Sequence, residues 1–124
     1  MDKVSFFEIP ADNLKSAQKF FKGVFGWKTE AWKDDYVNIT TVETDKNWMP
    51  KEKGAINGAI FKRKSKNEKP LLMIEVPSIE KYLQKVKKAG GKVVTGRAEA
   101  GEWGWWAEIA DTEGNVSELW EDNE

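Results

Sequence analysis

Glu118 and Trp120 stand two residues apart in the stretch "DTEGNVSELWE" (111–121), the spacing that puts two side chains on one face of a β-strand. Val116 shares that face, while Ser117 and Leu119 take the other. A short hairpin through Thr112, Glu113 and Gly114 would set Glu108 opposite Glu118 and Trp106 opposite Trp120. A slip of one residue would turn every side chain over, so this pairing stands or falls with the register. Carboxylates directly opposite each other on a sheet repel, so a bound cation, a raised pKa or a neighbouring lysine is needed there. Carboxylates flanked by indole faces suit an organic cation, by charge and by cation–π attraction. A protonated glutamate in such surroundings could instead serve as a general acid or base. The plainer alternative is that both tryptophans simply fill a core.

The same alternation puts Glu8 on the face of Phe6, and Glu75 on the face of Leu71 and Met73. Solvent exposure or pairing with lysines is the plain alternative for both glutamates. The chain contains no histidine and no cysteine, which removes thiolate nucleophiles, disulfides and the usual structural zinc sites. Ser5, Ser16, Ser65, Ser78 and Ser117 have no histidine to activate them, so a standard serine triad is excluded. "GAING" (54–58) lacks the spacing and the strand-to-helix context of a phosphate-binding loop.

The elements that must carry these residues fall into two similar halves. "VSFFEIP" (4–10) reads as a strand ended by Pro10, followed by a helix over 12–26 with Asn13 as N-cap and Gly26 as its stop. Leu14, Ala17, Phe20, Phe21, Val24 and Phe25 form its apolar face, expected to pack on a sheet. Strands over 27–32, 36–44 and 54–63 complete the first half. "LLMIEVP" (71–77) restarts the pattern, and Ser78 caps a helix over 78–91 ending at Gly90. Ile79, Tyr82, Leu83, Val86 and Ala89 line that helix, and strands over 92–98, 104–110 and 116–121 follow. An internal β-α-β-β-β repeat outweighs any single propensity. Neither half alone could bury both its helix and its sheet faces, so the two are expected to share a core.

These segments resemble the vicinal-oxygen-chelate superfamily of glyoxalase I, bleomycin-resistance proteins and extradiol dioxygenases. "FFEIPADNLKSAQKFFKGVFGWK", "IEVPSIEKYLQKVKKAGGKVV" and "DTEGNVSELWE" carry the resemblance over nearly the whole chain. It implies an α+β fold of two βαβββ modules, about 3–63 and 70–122, forming an open, cup-shaped mixed sheet within a single domain of 124 residues. It also implies a ligand held in the cup, a homodimer, and an inward-facing Glu118. In metal-binding relatives the front motif places histidine where Phe6 stands, and the second module's counterpart is Leu71 or Met73. The last strand of the first module offers Gly58 and Ile60, which are not ligands either. Only Glu118 keeps a metal-site identity, and one carboxylate cannot hold a transition metal that needs about three or four protein donors.

The formal charge of −1 with 33% charged residues gives no electrostatic case for nucleic acid or an anionic membrane. "KRKSKNEK" (62–69) reads as a solvated linker between the halves rather than a nucleic-acid patch. No apolar run approaches the roughly 20 residues of a membrane span, and no signal peptide is evident at the N-terminus, so a cytoplasmic location is expected. "AEAGEWGW" (98–105) is either a mobile lid or a plain surface loop with a packed Trp103. The leading expectation is a metal-independent small-molecule binding protein, with ligand contacts from Phe6, Glu8, Met73, Glu75, Trp106, Glu108, Glu118 and Trp120. An enzyme of the family, a lyase, isomerase or dioxygenase, is the alternative, with Glu118 as its catalytic carboxylate and a divalent cation such as Mg or Mn. A non-catalytic dimeric subunit that contacts another protein is the third.

Overall fold

The structure is a computed structural model and describes residues 1–123. Its element order is β1 (Val4–Ala11), α1 (Leu14–Phe25), β2 (Lys28–Lys33), β3 (Tyr36–Thr40), β4 (Asn57–Lys62), then β5 (Leu71–Glu75), α2 (Ile79–Lys88), β6 (Lys92–Ala100), β7 (Gly104–Ala110) and β8 (Val116–Asp122). The β-α-β-β-β order therefore occurs twice, and the fold is α+β as the repeat implied. Two compact units divide the chain, one spanning Phe6–Pro70 and the other joining Met1–Ser5 to the chain from Leu71 onward.

In the first unit the strand order is β2-β3-β4-β1. β1 runs parallel to β4, while β3 pairs antiparallel with both β4 and β2. The Asn13 side chain accepts a hydrogen bond from the Ser16 amide at 2.9 Å, and Gly26 closes α1 with a φ of 73°, a left-handed conformation that glycine adopts freely. Leu14, Ala17 and Phe21 pack on buried Ala11, Ile39 and Ile60. Phe20, Val24 and Phe25 do not: they are 56%, 58% and 58% exposed, contrary to the six-residue packed face expected. Each residue turns a helix by about 100°, so a stripe centred on Phe21 leaves Phe20 out on the flank. Val24 and Phe25 lie in the last turn, where Phe25 meets Trp27 at 5.5 Å rather than the sheet.

The second unit repeats the arrangement as β6-β7-β8-β5, with β5 parallel to β8 and the remaining pairs antiparallel. Here the helix sinks deeper. Ile79 and Leu83 are buried with Val76, Ala107 and Leu119, while Tyr82 and Val86 are half-buried and Ala89 is exposed. Ser78 is the N-cap, and Glu121 of β8 adds a carboxylate oxygen that accepts the Ile79 amide at 2.8 Å. The first residues belong to this unit: the Glu75 amide bonds the Lys3 carbonyl at 3.0 Å, and the Tyr82 hydroxyl donates to Asp2 at 2.8 Å.

Three strands, β3, β4 and β5, are shorter than the sequence suggests. β3 stops at Thr40 because Thr41 turns away, its amide on Asn57 Oδ1 at 2.8 Å and its hydroxyl on the Ile56 carbonyl at 2.7 Å. Those bonds also delay the start of β4 to Asn57. In the segment 98–105, β6 runs on to Ala100 and β7 starts at Gly104, which leaves a surface turn at 101–103 whose Trp103 is exposed rather than packed. Asn123 pins its tip, with its amide on the Trp103 carbonyl at 3.2 Å and its side chain on the Glu102 carbonyl at 3.0 Å.

Candidate functional site

The turn between β7 and β8 fixes the register on which the candidate site depends. Asp111 Oδ1 accepts the amides of Glu113 at 2.8 Å and Asn115 at 2.9 Å, and Gly114 supplies the φ of 82° that reverses the chain. These amide bonds, Asn115's first, hold the Asp111 carboxyl below its ordinary range. The hairpin consequently sets Glu108 opposite Glu118 and Trp106 opposite Trp120. Leu119 goes to the α2 side and is buried in the core there, so Glu118 and Trp120 lie on the face away from the helix.

Two rows cross that face. One runs Met73, Glu118, Glu108, Thr95 and the other Glu75, Trp120, Trp106, Ala98, each residue opposite the next on the adjacent strand. Glu118 is only 6% exposed and Met73 is buried beside it. Glu108 is half-buried and receives the Thr95 hydroxyl at 2.7 Å. That bond gives one of two facing carboxylates a donor of its own, easing the repulsion expected of such a pair. Thr95 is absent from the sequence-derived set because irregularities on both sides of it break the β6/β7 register. The Trp120 indole N–H is tied to Asp122 at 2.6 Å, and its ring lies against Gly104, where a Cβ would stand 2.7 Å from the ring.

The other side of the same strands carries a structural cluster. Arg97 lies over the Trp105 ring at 3.7 Å and bonds Glu121 at 3.1 Å. The Ile79 amide is the main cause that holds the Glu121 carboxyl below its usual range, with Arg97 adding to it against the opposing effect of burial. Glu75 is half-buried and joins Met1, Asp2, Lys3, Val76, Pro77, Glu121 and Asp122 around a surface depression of about 480 Å³. Glu118 and the tryptophans do not line it.

In the first unit, Phe6 and Glu8 lie on the face of β1 away from α1, since Phe7 packs on the helix side. Glu8 is 8% exposed, and the Tyr36 hydroxyl donates to its Oε2. Tyr36 was not legible as a partner, because the bond joins two strands that are not neighbours.

The residues do not fit the transition metal of the family. Phe6, Met73, Gly58 and Ile60 offer rings, a thioether, hydrogen and an alkyl group where nitrogen or oxygen donors would have to stand. Among the described residues no three Asp or Glu side chains gather as a metal site. No helix of the described residues is long and apolar enough to cross a membrane.

Residues 3–119 match the family described as the Glyoxalase/Bleomycin resistance protein/Dioxygenase superfamily. No curated protein sequence matches the chain. Among solved structures, a superfamily member from Vibrio splendidus 12B01 is 14% identical at a TM-score of 0.67, covering 98% of this chain and 100% of that one. A hypothetical protein from Bacillus halodurans C-125 is 17% identical at 0.68, covering 99% and 96%. Methylmalonyl-CoA epimerase from Mycobacterium tuberculosis is 14% identical at 0.64, covering 95% and 86%. At such identities the likeness is one of fold.

Proposed function

Because the chain belongs to the Glyoxalase/Bleomycin resistance protein/Dioxygenase superfamily, we propose that it is a metal-independent small-molecule binding protein of that superfamily. The observation that supports this is the pair of rows on β5-β8-β7, where nearly buried Glu118 and its partner Glu108 run beside Trp120 and Trp106 in one register. Glu118 is the acidic anchor of a polar or cationic ligand, and Trp106 and Trp120 flank it. Met73, Glu75 and Glu108 complete the contacts, all on the second unit. A homodimer and a cytoplasmic location belong to the same proposal.

Thermal-shift screening should yield a ligand, and Glu118→Gln tests it by keeping the shape while removing the charge. For a bound cation the loss should be about 2–5 kcal/mol of affinity, with stability held or raised as repulsion from Glu108 falls. Unchanged affinity in Glu118→Gln would remove Glu118 from the site. Elemental analysis finding close to one Mg or Mn per chain would replace this reading with a metal-assisted one.

A second reading, an isomerase, is favoured by the fold shared with an epimerase together with the facing carboxylates of Glu108 and nearly buried Glu118. A carboxylate can take a proton from carbon next to a carbonyl and a protonated one can return it. Methylmalonyl-CoA incubated with the protein in D2O reads this directly. Deuterium gain at the acidic carbon, lost in Glu118→Gln, would support it.

A further inference from the structure

We propose that Glu8 anchors a binding site for small primary ammonium compounds on the first unit, and that the Tyr36 hydroxyl is an internal cap which the ligand's ammonium displaces. The inference shares with the proposed function only the idea of a small cationic ligand, since all its residues lie in the first unit.

Strand register brings the pair together. Glu8 is opposite Ala59, which is opposite Asn38; one step along, Pro10, Phe61 and Tyr36 form the next row. Tyr36 therefore sits two strands from Glu8 and two residues further up the sheet. Its ring can reach across β4 because Ala59 has only a methyl group there, wholly buried in the structure. A larger residue at position 59 would stand in the path of the phenol.

Glu8 is more than nine-tenths buried, and the Tyr36 hydroxyl donates to its Oε2. No lysine or arginine among the described residues forms an ion pair with it. The phenol is a neutral donor. An ammonium in its place would make a charge-assisted bond roughly twice as strong, in surroundings where water competes little.

The neighbouring rings point to the same ligand class. β2 and β3 pair through Ala31–Val37 and Lys33–Tyr36, so Trp32 is the surplus residue of a β-bulge, a device that re-aims a side chain. Its ring meets Tyr36 edge-on at 5.3 Å and remains 43% exposed. The Lys33 ammonium already rests 4.2 Å from the centre of that ring, an alkylammonium held by an indole face within the molecule. A buried carboxylate selects cations over anions, and its hydrogen-bond demand selects an N–H-bearing ammonium over a quaternary one, while the Trp32 ring, in contact with Tyr36, reports on the cap.

The test is a titration of the full chain with n-butylammonium chloride, followed at the Trp32 indole by two-dimensional NMR, with sodium chloride at equal ionic strength as control. Tyr36→Phe keeps the ring and removes the cap, so it should bind about two- to tenfold more tightly than wild type. Glu8→Gln should lose saturable binding, and n-butanol should not bind. Equal or weaker binding by Tyr36→Phe, or no saturable Trp32 shift in either wild type or folded Tyr36→Phe, would overturn the proposal and leave Tyr36 as the partner of a structural carboxylate. The two readings fail separately, because this one is read at Trp32 through Glu8 and Tyr36 and the other through Glu118.

Discussion

The two units follow one element order, yet they bury their helices to different depths. α2 drives Ile79 and Leu83 into the core, whereas no residue of α1 is fully buried. The difference lies in how the apolar residues are spaced. On α2 they keep to positions 79, 82, 83 and 86 with charged or polar residues elsewhere, a narrow stripe that one sheet face can cover. On α1, Phe20, Phe21, Val24 and Phe25 crowd the C-terminal half, and one sheet covers only the residues that point straight at it. Sheet faces differ likewise. The second unit opposes two glutamates and gives one of them a threonine donor, while the first gives its glutamate a phenol. A repeated order of elements thus sets the scaffold, and the residues at matching places set depth of burial and chemistry separately in each copy.

The contrast between helices makes the largest prediction. Ile79→Ala should destabilise by about 2–5 kcal/mol, as expected for a wholly buried aliphatic residue, while Phe20→Ala on the flank of α1 loses edge contacts with Phe21 and Phe25 and should cost only about 0.5–1.5 kcal/mol. Denaturant midpoints for the two variants would measure this, and similar losses would erase the difference between the units. Glycines sharpen it next. Gly104→Ala forces a methyl against the Glu121 backbone carbonyl and the Trp120 ring and should cost about 1–3 kcal/mol. Gly23→Ala on α1 meets nothing within 4 Å and should raise stability by about 0.5–1 kcal/mol through helix propensity.

A further test concerns the start of α2, which is supported by a carboxylate from a distant strand. The folded Glu121 carboxyl lies below its unfolded value of about 4.3. It therefore stabilises above that pH, and the contribution is lost as pH falls through the folded value. Glu121→Gln keeps an oxygen on the Ile79 amide but cannot titrate. Its loss of stability between pH 7 and pH 3 should be shallower than that of wild type. Equal slopes in urea unfolding would show that the cap carries no charge dependence.

Much of this was readable from residues close in sequence. Asn13, Gly26 and Ser78 marked helix ends because capping is a bond between neighbours. The Glu108–Glu118 and Trp106–Trp120 pairs followed from a short turn and the two-residue period of strands. The early end of β3 was not readable, since it depends on Asn57 Oδ1 arriving from another strand. Thr95 was missed for a related reason: a bulge breaks the count that would have placed it.

The sequence by itself determined the order of elements, the caps, and which residues share a strand face, because covalent geometry and local hydrogen bonds set these within a few residues. Tertiary structure alone decided that Tyr36 covers Glu8, 28 residues away, and that Glu121 caps a helix 42 residues before it. It also decided that Phe20 stays half exposed while Ile79 is wholly buried. Such outcomes depend on which distant strands become neighbours, as in the parallel pairs β1–β4 and β5–β8, and on where each helix axis comes to rest over its sheet. Non-local packing fixes both, and no spacing along the chain encodes them.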